Sequence, residues 1–205
     1  PSPDWLRNAL KAVGLRPINA LVDITNFISL DRARPLHVYD AAKIKGDLRA
    51  RLGRKGEKLV ALDGKTYDVS PDYCIIADDE NVLGFAGIMG GETSGSSEAT
   101  TDVFVESAYF DPVRTAKTGR ATGIISDARH RFERGIDPAF TVPGLELATK
   151  MILELCGGEP SNLIVAGAMP DTTKVIQFDP MRVEKLTGLS LARNEAESIL
   201  KALGF

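Results

Sequence analysis

Apolar residues recur at the three- and four-residue spacing of a helix in three parts of the chain. The pattern predicts helices over residues 3–13, 19–30 and 138–155. The β-branched residues of 19–30 also permit a strand, although helix is favoured. At the first helix, Ser2 is predicted to cap the amino end, because a serine oxygen accepts a hydrogen bond from the first turn. Gly14 then marks its end.

Between the second and third helices, short apolar runs are broken by Gly, Asp and Asn, which predicts short strands. Asp63-Gly64 lies between two such runs and predicts a tight hairpin. The predicted fold class is therefore α+β, with a layered, β-sandwich-like core over residues 47–135 and helices on its flanks. Further strands are predicted at 163–167 and 174–179, and two short helices are predicted beyond them.

Composition narrows the function classes. The chain has 205 residues, 43% of them apolar, and a formal net charge of -3, so no overall positive field attracts nucleic acid or anionic membrane. Two distant cysteines and two histidines predict a reducing compartment and no structural zinc. No apolar run approaches the length of a membrane span. These features predict a cytoplasmic fragment of a longer chain, with no membrane contact.

The glycine-rich stretch GFAGIMGGE, residues 84–92, raises the question of what approaches its backbone so closely. A phosphate-binding P-loop requires Gly-Lys-Ser/Thr at the start of a helix, and a dinucleotide site requires a different glycine spacing, so both are excluded. Two interpretations stay open. The glycines relieve crowding in a bulged strand, or their amides approach a ligand.

Glu106 is the unusual residue of the apolar run DVFVESAYF. Strand alternation places it on the face of Phe104, opposite Val103 and Val105. A buried carboxylate there requires a protein donor or a ligand hydroxyl, whereas an edge position would leave it solvated. His37, which follows Pro35, is either a functional or a structural histidine.

His130 lies among arginines and is interpreted as structural or as part of a basic segment facing RNA. No G-x-S-x-G motif is present, and a serine–histidine hydrolase mechanism is therefore disfavoured.

Several motifs in a fixed order resemble the β subunit of bacterial phenylalanyl-tRNA synthetase over nearly the whole chain. They are RPINALVDITNF (16–27), RPLHVYD (34–40), LDG (62–64), GIMGGETSG (87–95), VESAYFDP (105–112) and SDARHRFERGIDP (126–138). The resemblance implies the interleaved third and fourth domains of that subunit, which form an editing module of unusual topology, over residues 1–170. Residues 171–205 resemble the truncated beginning of the fifth domain.

What the resemblance implies is hydrolysis of mischarged Tyr-tRNA(Phe). A pocket built for phenylalanine rejects an added hydroxyl by only about a hundredfold, so a second site must select that hydroxyl. The family pattern makes Glu106 the acceptor of the tyrosyl phenol proton and places the amides of Gly87 and Gly90 beside it. Ala128 corresponds to a small residue that leaves room for the aromatic ring.

The catalytic positions implied by the resemblance are His37, Asn26, Thr25 and Ser126, which would position the substrate and an attacking water. A ribose hydroxyl of the terminal adenosine would assist the attack of that water on the aminoacyl ester. Ser126 stands where the family commonly has threonine. The chain also reads RARPLHVYD where the family often has GQPMHAFD, and TGIISDAR where it has HGLHTDAS.

The partners implied by the resemblance are the acceptor end of tRNA(Phe) and an α subunit, joined with the β subunit in a heterotetramer. This part of the synthetase would need no cofactor or metal, while the full enzyme would use ATP and Mg. The alternative hypothesis is a non-catalytic RNA-binding or scaffold module, since a related fold occurs at the end of a tRNA-modifying enzyme. The acidic composition counts against a dedicated RNA binder, although a local basic patch would favour one.

Overall fold

The computed structural model describes residues 1–205. The chain forms two units, Pro1–Met169 and Pro170–Phe205. All eight strands and five of the seven α-helices lie in the first unit. The helices are α1 (Asp4–Ala12), α2 (Ala20–Asp31), α3 (Pro112–Thr122), α4 (Asp127–Phe132), α5 (Thr141–Cys156), α6 (Met181–Thr187) and α7 (Arg193–Ala202).

The strands are short and pair antiparallel throughout. They are β1 (Leu36–Asp40), β2 (Arg49–Leu52), β3 (Lys58–Val60), β4 (Thr66–Asp68), β5 (Cys74–Ala77), β6 (Val82–Phe85), β7 (Met89–Gly90) and β8 (Val103–Ser107). Together with the helices, these strands confirm the predicted α+β class.

A helical layer forms one part of the first unit, where α1, α2 and α5 bury a common apolar cluster. The three helices predicted from apolar spacing are confirmed within one to three residues at each end. At the start of α2, the side chain of Asn19 accepts a hydrogen bond from the backbone of the first turn. At the end of α5, Gly157 has a φ of 76°, which stops the helix.

Ser2 does not cap α1, and that prediction was wrong. The capping position is Pro3, which makes no side-chain cap. The buried hydroxyl of Ser2 instead donates to Asp23 Oδ2 at 2.5 Å, and Asp23 also accepts from the backbone N–H of Ile18 at 2.8 Å. Because Asp23 is almost completely buried, these donors replace the water that its carboxylate loses.

Strands β1 and β8 form a two-stranded ladder beside the helical layer. Within it, His37 pairs with Glu106 and Val38 with Val105. Neighbouring side chains along a strand point to opposite faces. Leu36 and Val105 pack against the cluster formed by α1, α2 and α5, so His37 and Glu106 lie on the other face.

A four-stranded sheet in the order β2-β5-β6-β7 forms the second β element. Its core includes Leu59, Ile75 and Phe85. Strands β3 and β4 form a separate hairpin around Asp63-Gly64, which confirms the predicted turn. Gly64 has a φ of 77°, a conformation that glycine adopts readily.

Two helices that the strand pattern did not predict lie between β8 and α5. Asp111 caps α3 by accepting from the backbone N–H of Arg114 at 2.6 Å, and Gly123 ends this helix with a φ of 69°. Residues 112–122 and 127–132 are therefore helical where the sequence predicted a β-rich core. The apolar positions in this stretch are too few for a clear helical period, and the capping residues carry the signal instead.

Two predicted strands are wrong. Residues 163–167 and 174–179 have no regular secondary structure. Ile164 and Val175 are 84% and 86% exposed, so these β-branched runs have no partner strand to pack against. In the second unit, α6 and α7 confirm the two short helices predicted beyond residue 180.

Candidate functional site

Glu106 accepts a hydrogen bond from a tyrosine on the neighbouring strand. The hydroxyl of Tyr39 donates to Glu106 Oε2 at 2.7 Å. Tyr39 is 2% exposed, whereas Glu106 as a residue is half-buried, with its carboxyl surrounded by protein. Burial raises the pKa of Glu106 above its ordinary value, and the hydrogen bond from Tyr39 opposes that rise. Burial thus favours the protonated carboxyl group and the Tyr39 hydrogen bond favours the ionised one, while no nearby cation contributes.

His37 lies directly across the ladder from Glu106 and packs edge-on against Tyr39, with ring centroids 4.4 Å apart. Its Nε2 is buried and has no hydrogen-bond partner. Burial lowers the pKa of His37 to about 4, so the imidazole is neutral at pH 7. A neutral ring can accept a proton or a hydrogen bond, but with this pKa it is a weak base.

Gly90 of strand β7 lies directly against the ring of His37. A methyl group added at Gly90 would lie 2.7 Å from His37 Nε2, which is closer than real side-chain contacts allow. Gly87 has a φ of 70°, and a methyl group there would lie 2.9 Å from a ring carbon of Phe110. The close approaches that require these two glycines are therefore made by protein side chains. Contacts from their amides to a ligand stay a prediction.

Ala128 lies on α4 and packs against the apolar cluster that contains Tyr39, Phe110 and Phe132. It is thus in the same cluster as the aromatic partner of Glu106. Ser126 caps α4, because its hydroxyl oxygen accepts from the backbone N–H of Arg129 at 3.1 Å. The same hydroxyl donates to the carbonyl of Ile88 at 2.6 Å, which ties α4 to the turn after β6.

Thr25 and Asn26 lie on α2. The hydroxyl of Thr25 donates to the carbonyl of Val22 at 2.9 Å within the helix, and Asn26 makes no side-chain hydrogen bond. Neither residue is hydrogen-bonded to His37 or Glu106. The structure therefore joins His37, Glu106 and Gly90 by contact, while the roles of Thr25 and Asn26 stay predictions.

Among the grooves on the first unit are two whose linings include none of the predicted site residues. The larger has a volume of about 1890 Å³ and lies among α1, the start of α2, β8 and α5. The smaller, of about 430 Å³, is lined by Arg32, Arg34, His130, Arg131 and Arg134. No group of three or more His, Cys, Asp or Glu side chains could hold a metal ion. No helix is long and apolar enough to cross a membrane.

Comparison with known proteins decides the family. Residues 1–157 match the family model described as the B3/4 domain. The chain belongs to the B3/4 domain family. It is also 59% identical over 205 residues to the phenylalanine–tRNA ligase β subunit of Cereibacter sphaeroides, covering 100% of this chain and 26% of the relative.

A second bacterial relative gives the same relationship. The phenylalanine–tRNA ligase β subunit of Paramagnetospirillum magneticum is 59% identical over 203 residues, covering 99% of this chain and 25% of the relative. An N-terminal fragment of the Pyrococcus horikoshii phenylalanyl-tRNA synthetase β subunit, known from a crystal structure, is 17% identical with a TM-score of 0.45, covering 89% of this chain and 55% of the fragment. This B3/4 chain spans about a quarter of the length of the β subunits it matches.

Two residues at the candidate site were missed by sequence reasoning. Tyr39 bonds Glu106 across a gap of 67 residues, which no local pattern reveals. Its position two residues after His37, on the same strand face, was the available signal. Cys74 of β5 also lies close by: burial raises the pKa of its thiol, Arg114 lowers it, and the charge of Glu106 raises it.

Proposed function

We propose that this B3/4 domain is the editing module of a phenylalanyl-tRNA synthetase β subunit and hydrolyses mischarged Tyr-tRNA(Phe). The observation that carries the proposal is that Glu106, half-buried beside His37, accepts a phenolic hydroxyl at 2.7 Å. A tyrosyl group presents the same chemical group as Tyr39. The high identity to named β subunits supports the proposal independently.

Selectivity would follow from the environment of Glu106. A tyrosyl ester brings a donor to the free Oε1 of the carboxylate, whereas a phenylalanyl ester brings only a ring edge. Covering a buried acceptor without supplying a donor costs roughly 1 to 3 kcal/mol. The cognate ester is thereby disfavoured at Glu106. Ala128 packs against the cluster that contains Tyr39, so under this proposal a larger side chain there would interfere with the substrate ring.

In the proposed reaction, a water oxygen attacks the carbonyl carbon of the aminoacyl ester. The bond from that carbon to the ribose oxygen breaks, and the leaving oxygen takes up a proton to regenerate the terminal hydroxyl of the tRNA. The products are tyrosine and uncharged tRNA. With a pKa of about 4, His37 is neutral at pH 7 and better suited to hold the water or ester through Nε2 than to remove a proton. Thr25, Asn26 and Ser126 are proposed as further positioning groups.

The proposed partners are the acceptor end of tRNA(Phe) and an α subunit. The arginine-lined groove that includes Arg131 and Arg134 supports contact with RNA phosphates, because guanidinium groups bind phosphate oxygens in a forked geometry. Both arginines pair with carboxylates of their own helix region at 3.0 to 3.1 Å, so binding would exchange these weak surface pairs for phosphate contacts.

The test measures deacylation of Tyr-tRNA(Phe) and Phe-tRNA(Phe) by the chain and by a complete synthetase that carries it. Glu106→Ala is expected to slow tyrosyl deacylation at least tenfold, because the phenol loses its carboxyl acceptor. Asp63→Ala is the matched control: Asp63 also accepts a tyrosine hydroxyl at 2.7 Å, but on the exposed hairpin. Its deacylation rate should be unchanged.

Equal rates for Glu106→Ala and wild type, or equal hydrolysis of both esters by wild type, would contradict the proposal. Binding of tRNA without deacylation in either setting would favour the alternative of a non-catalytic RNA-binding module. Unfolding curves of both variants separate a lost contact from a lost fold.

A further inference from the structure

The hydroxyl of Tyr39 is the only hydrogen-bond donor to the Glu106 carboxyl group. It reaches Oε2 at 2.7 Å, and no protein donor reaches Oε1. No lysine, arginine or histidine nitrogen lies within 4.0 Å of either oxygen, so Glu106 has no ion pair. Glu106 is half-buried as a residue, and Oε1 is not one of the buried side-chain oxygens that lack a partner, so this oxygen keeps contact with solvent and is open to a ligand.

The titratable groups around Glu106 do not supply a compensating charge. On β1, His37 is neutral near pH 7 and Tyr39 keeps its proton, since burial and then the charge of Glu106 raise the pKa of its phenol. On β5, Cys74 is a half-buried thiol whose pKa is raised by burial. The guanidinium of Arg114 on α3 donates to the carbonyl of Asp72 at 2.7 Å instead.

We propose that Tyr39 is a positioning residue for Glu106: its hydroxyl holds Oε2 in place, which leaves Oε1 as the acceptor for a phenolic ligand. The role in selecting a tyrosyl ester rests on the proposed editing function. The effect on the ionisation of Glu106 does not, and it can be measured separately.

The chemistry explains why one tyrosine can determine how Glu106 works. An ionised carboxyl group is only an acceptor, whereas a protonated one offers a donor that a phenol oxygen or water can occupy equally well. Burial raises the pKa of Glu106, and the Tyr39 hydrogen bond lowers it. Removing the hydroxyl therefore shifts Glu106 towards the protonated form and weakens its discrimination between a phenol and a plain ring.

The test compares Tyr39→Phe with Tyr67→Phe, its matched control. Both tyrosines donate to a carboxylate at 2.7 Å, but Tyr67 bonds Asp63 on the exposed hairpin. In Tyr39→Phe, the acid limb of the pH profile for tyrosyl-tRNA deacylation is expected to move upward by about one pH unit, since a charged hydrogen bond contributes about tenfold. The preference for tyrosyl over phenylalanyl ester should fall by a similar factor. Tyr67→Phe should change neither quantity.

A second measurement does not require activity. The carboxyl carbon of Glu106, assigned by its loss in Glu106→Gln, is titrated by NMR in the chain and in Tyr39→Phe, where its pKa is expected to rise. If Tyr39→Phe fails to fold, 3-fluorotyrosine at position 39 keeps the shape and donates more strongly, so the pKa of Glu106 should fall.

The outcomes are distinguishable. A shift of the Glu106 pKa without any deacylation by wild type supports the role of Tyr39 and removes the editing function. Unchanged titration in both modified proteins overturns the role of Tyr39, whatever the activity. Faster tyrosyl hydrolysis by Tyr39→Phe also overturns it, because the native hydroxyl would then compete with the substrate for Glu106.

Discussion

Two tyrosine–carboxylate pairs of the same length occur in the first unit, one buried in the ladder and one on the hairpin. Tyr39 bonds Glu106 and Tyr67 bonds Asp63, each at 2.7 Å. The hydrogen bond from Tyr67 lowers the pKa of Asp63, whereas burial raises the pKa of Glu106 despite its own bond. The pKa therefore falls at Asp63 and rises at Glu106, although both carboxyl groups accept a hydrogen bond of the same length. The difference comes from the burial of Glu106.

The largest change in unfolding free energy is expected from His37, which lies beside the Tyr39–Glu106 pair. Folding lowers the pKa of His37 from 6.5 to about 4, so neutral His37 stabilises the fold above pH 6.5, and this contribution is lost as the pH falls towards 4. Relative to His37→Leu, wild type should lose about 3 kcal/mol of unfolding free energy between neutral pH and about pH 4. Denaturant unfolding at several pH values measures this.

Glu106 is present in both proteins, so its own titration largely cancels from that difference. His130→Gln is the control, because His130 is exposed. Parallel pH dependence of wild type and His37→Leu would mean that the ladder does not keep His37 neutral.

A smaller loss of unfolding free energy is expected when a glycine near each tyrosine–carboxylate pair is replaced by alanine. Gly90→Ala places a methyl group 2.7 Å from His37 Nε2 and should lower the unfolding free energy by about 2 kcal/mol. Gly64→Ala, beside Asp63, meets open space but has a φ of 77°, so about 1 kcal/mol is expected from backbone strain. Urea unfolding compares the two. A larger loss for Gly64→Ala would show that the layer around His37 accommodates the methyl group.

The smallest effect concerns the two hydroxyl groups themselves. Tyr39→Phe leaves a buried acceptor without its donor and should reduce the unfolding free energy by about 1 kcal/mol at neutral pH. Tyr67→Phe should have no measurable effect, because water replaces the lost hydroxyl at Asp63. Thermal unfolding of the two variants side by side tests this order, and equal losses would contradict it.

Sequence patterns were sufficient where the determining contacts are local. The apolar spacing of α2 and α5 and the Asp63-Gly64 turn each lie within one segment, and each prediction is confirmed. Ser2 is the counter-example. Its local pattern resembles a cap, but the buried carboxylate of Asp23, 21 residues away, takes its hydroxyl instead.

The candidate site was predictable only in part for the same reason. Strand alternation correctly set Glu106 apart from Val105, because it depends on a single strand. The Tyr39 donor depends on the register between two strands far apart in sequence, which no local pattern encodes. The glycines at 87 and 90 indicated close approach, but only the fold identifies aromatic rings and His37 as their neighbours.

The ladder also has a topological consequence. Asp40 pairs with Val103, so the chain leaves the ladder and returns to it at one point, after forming the four-stranded sheet and the hairpin in between. Closing so long a loop carries a conformational entropy cost. His37 and Glu106 can thus face each other only once β1 and β8 have paired across the whole excursion.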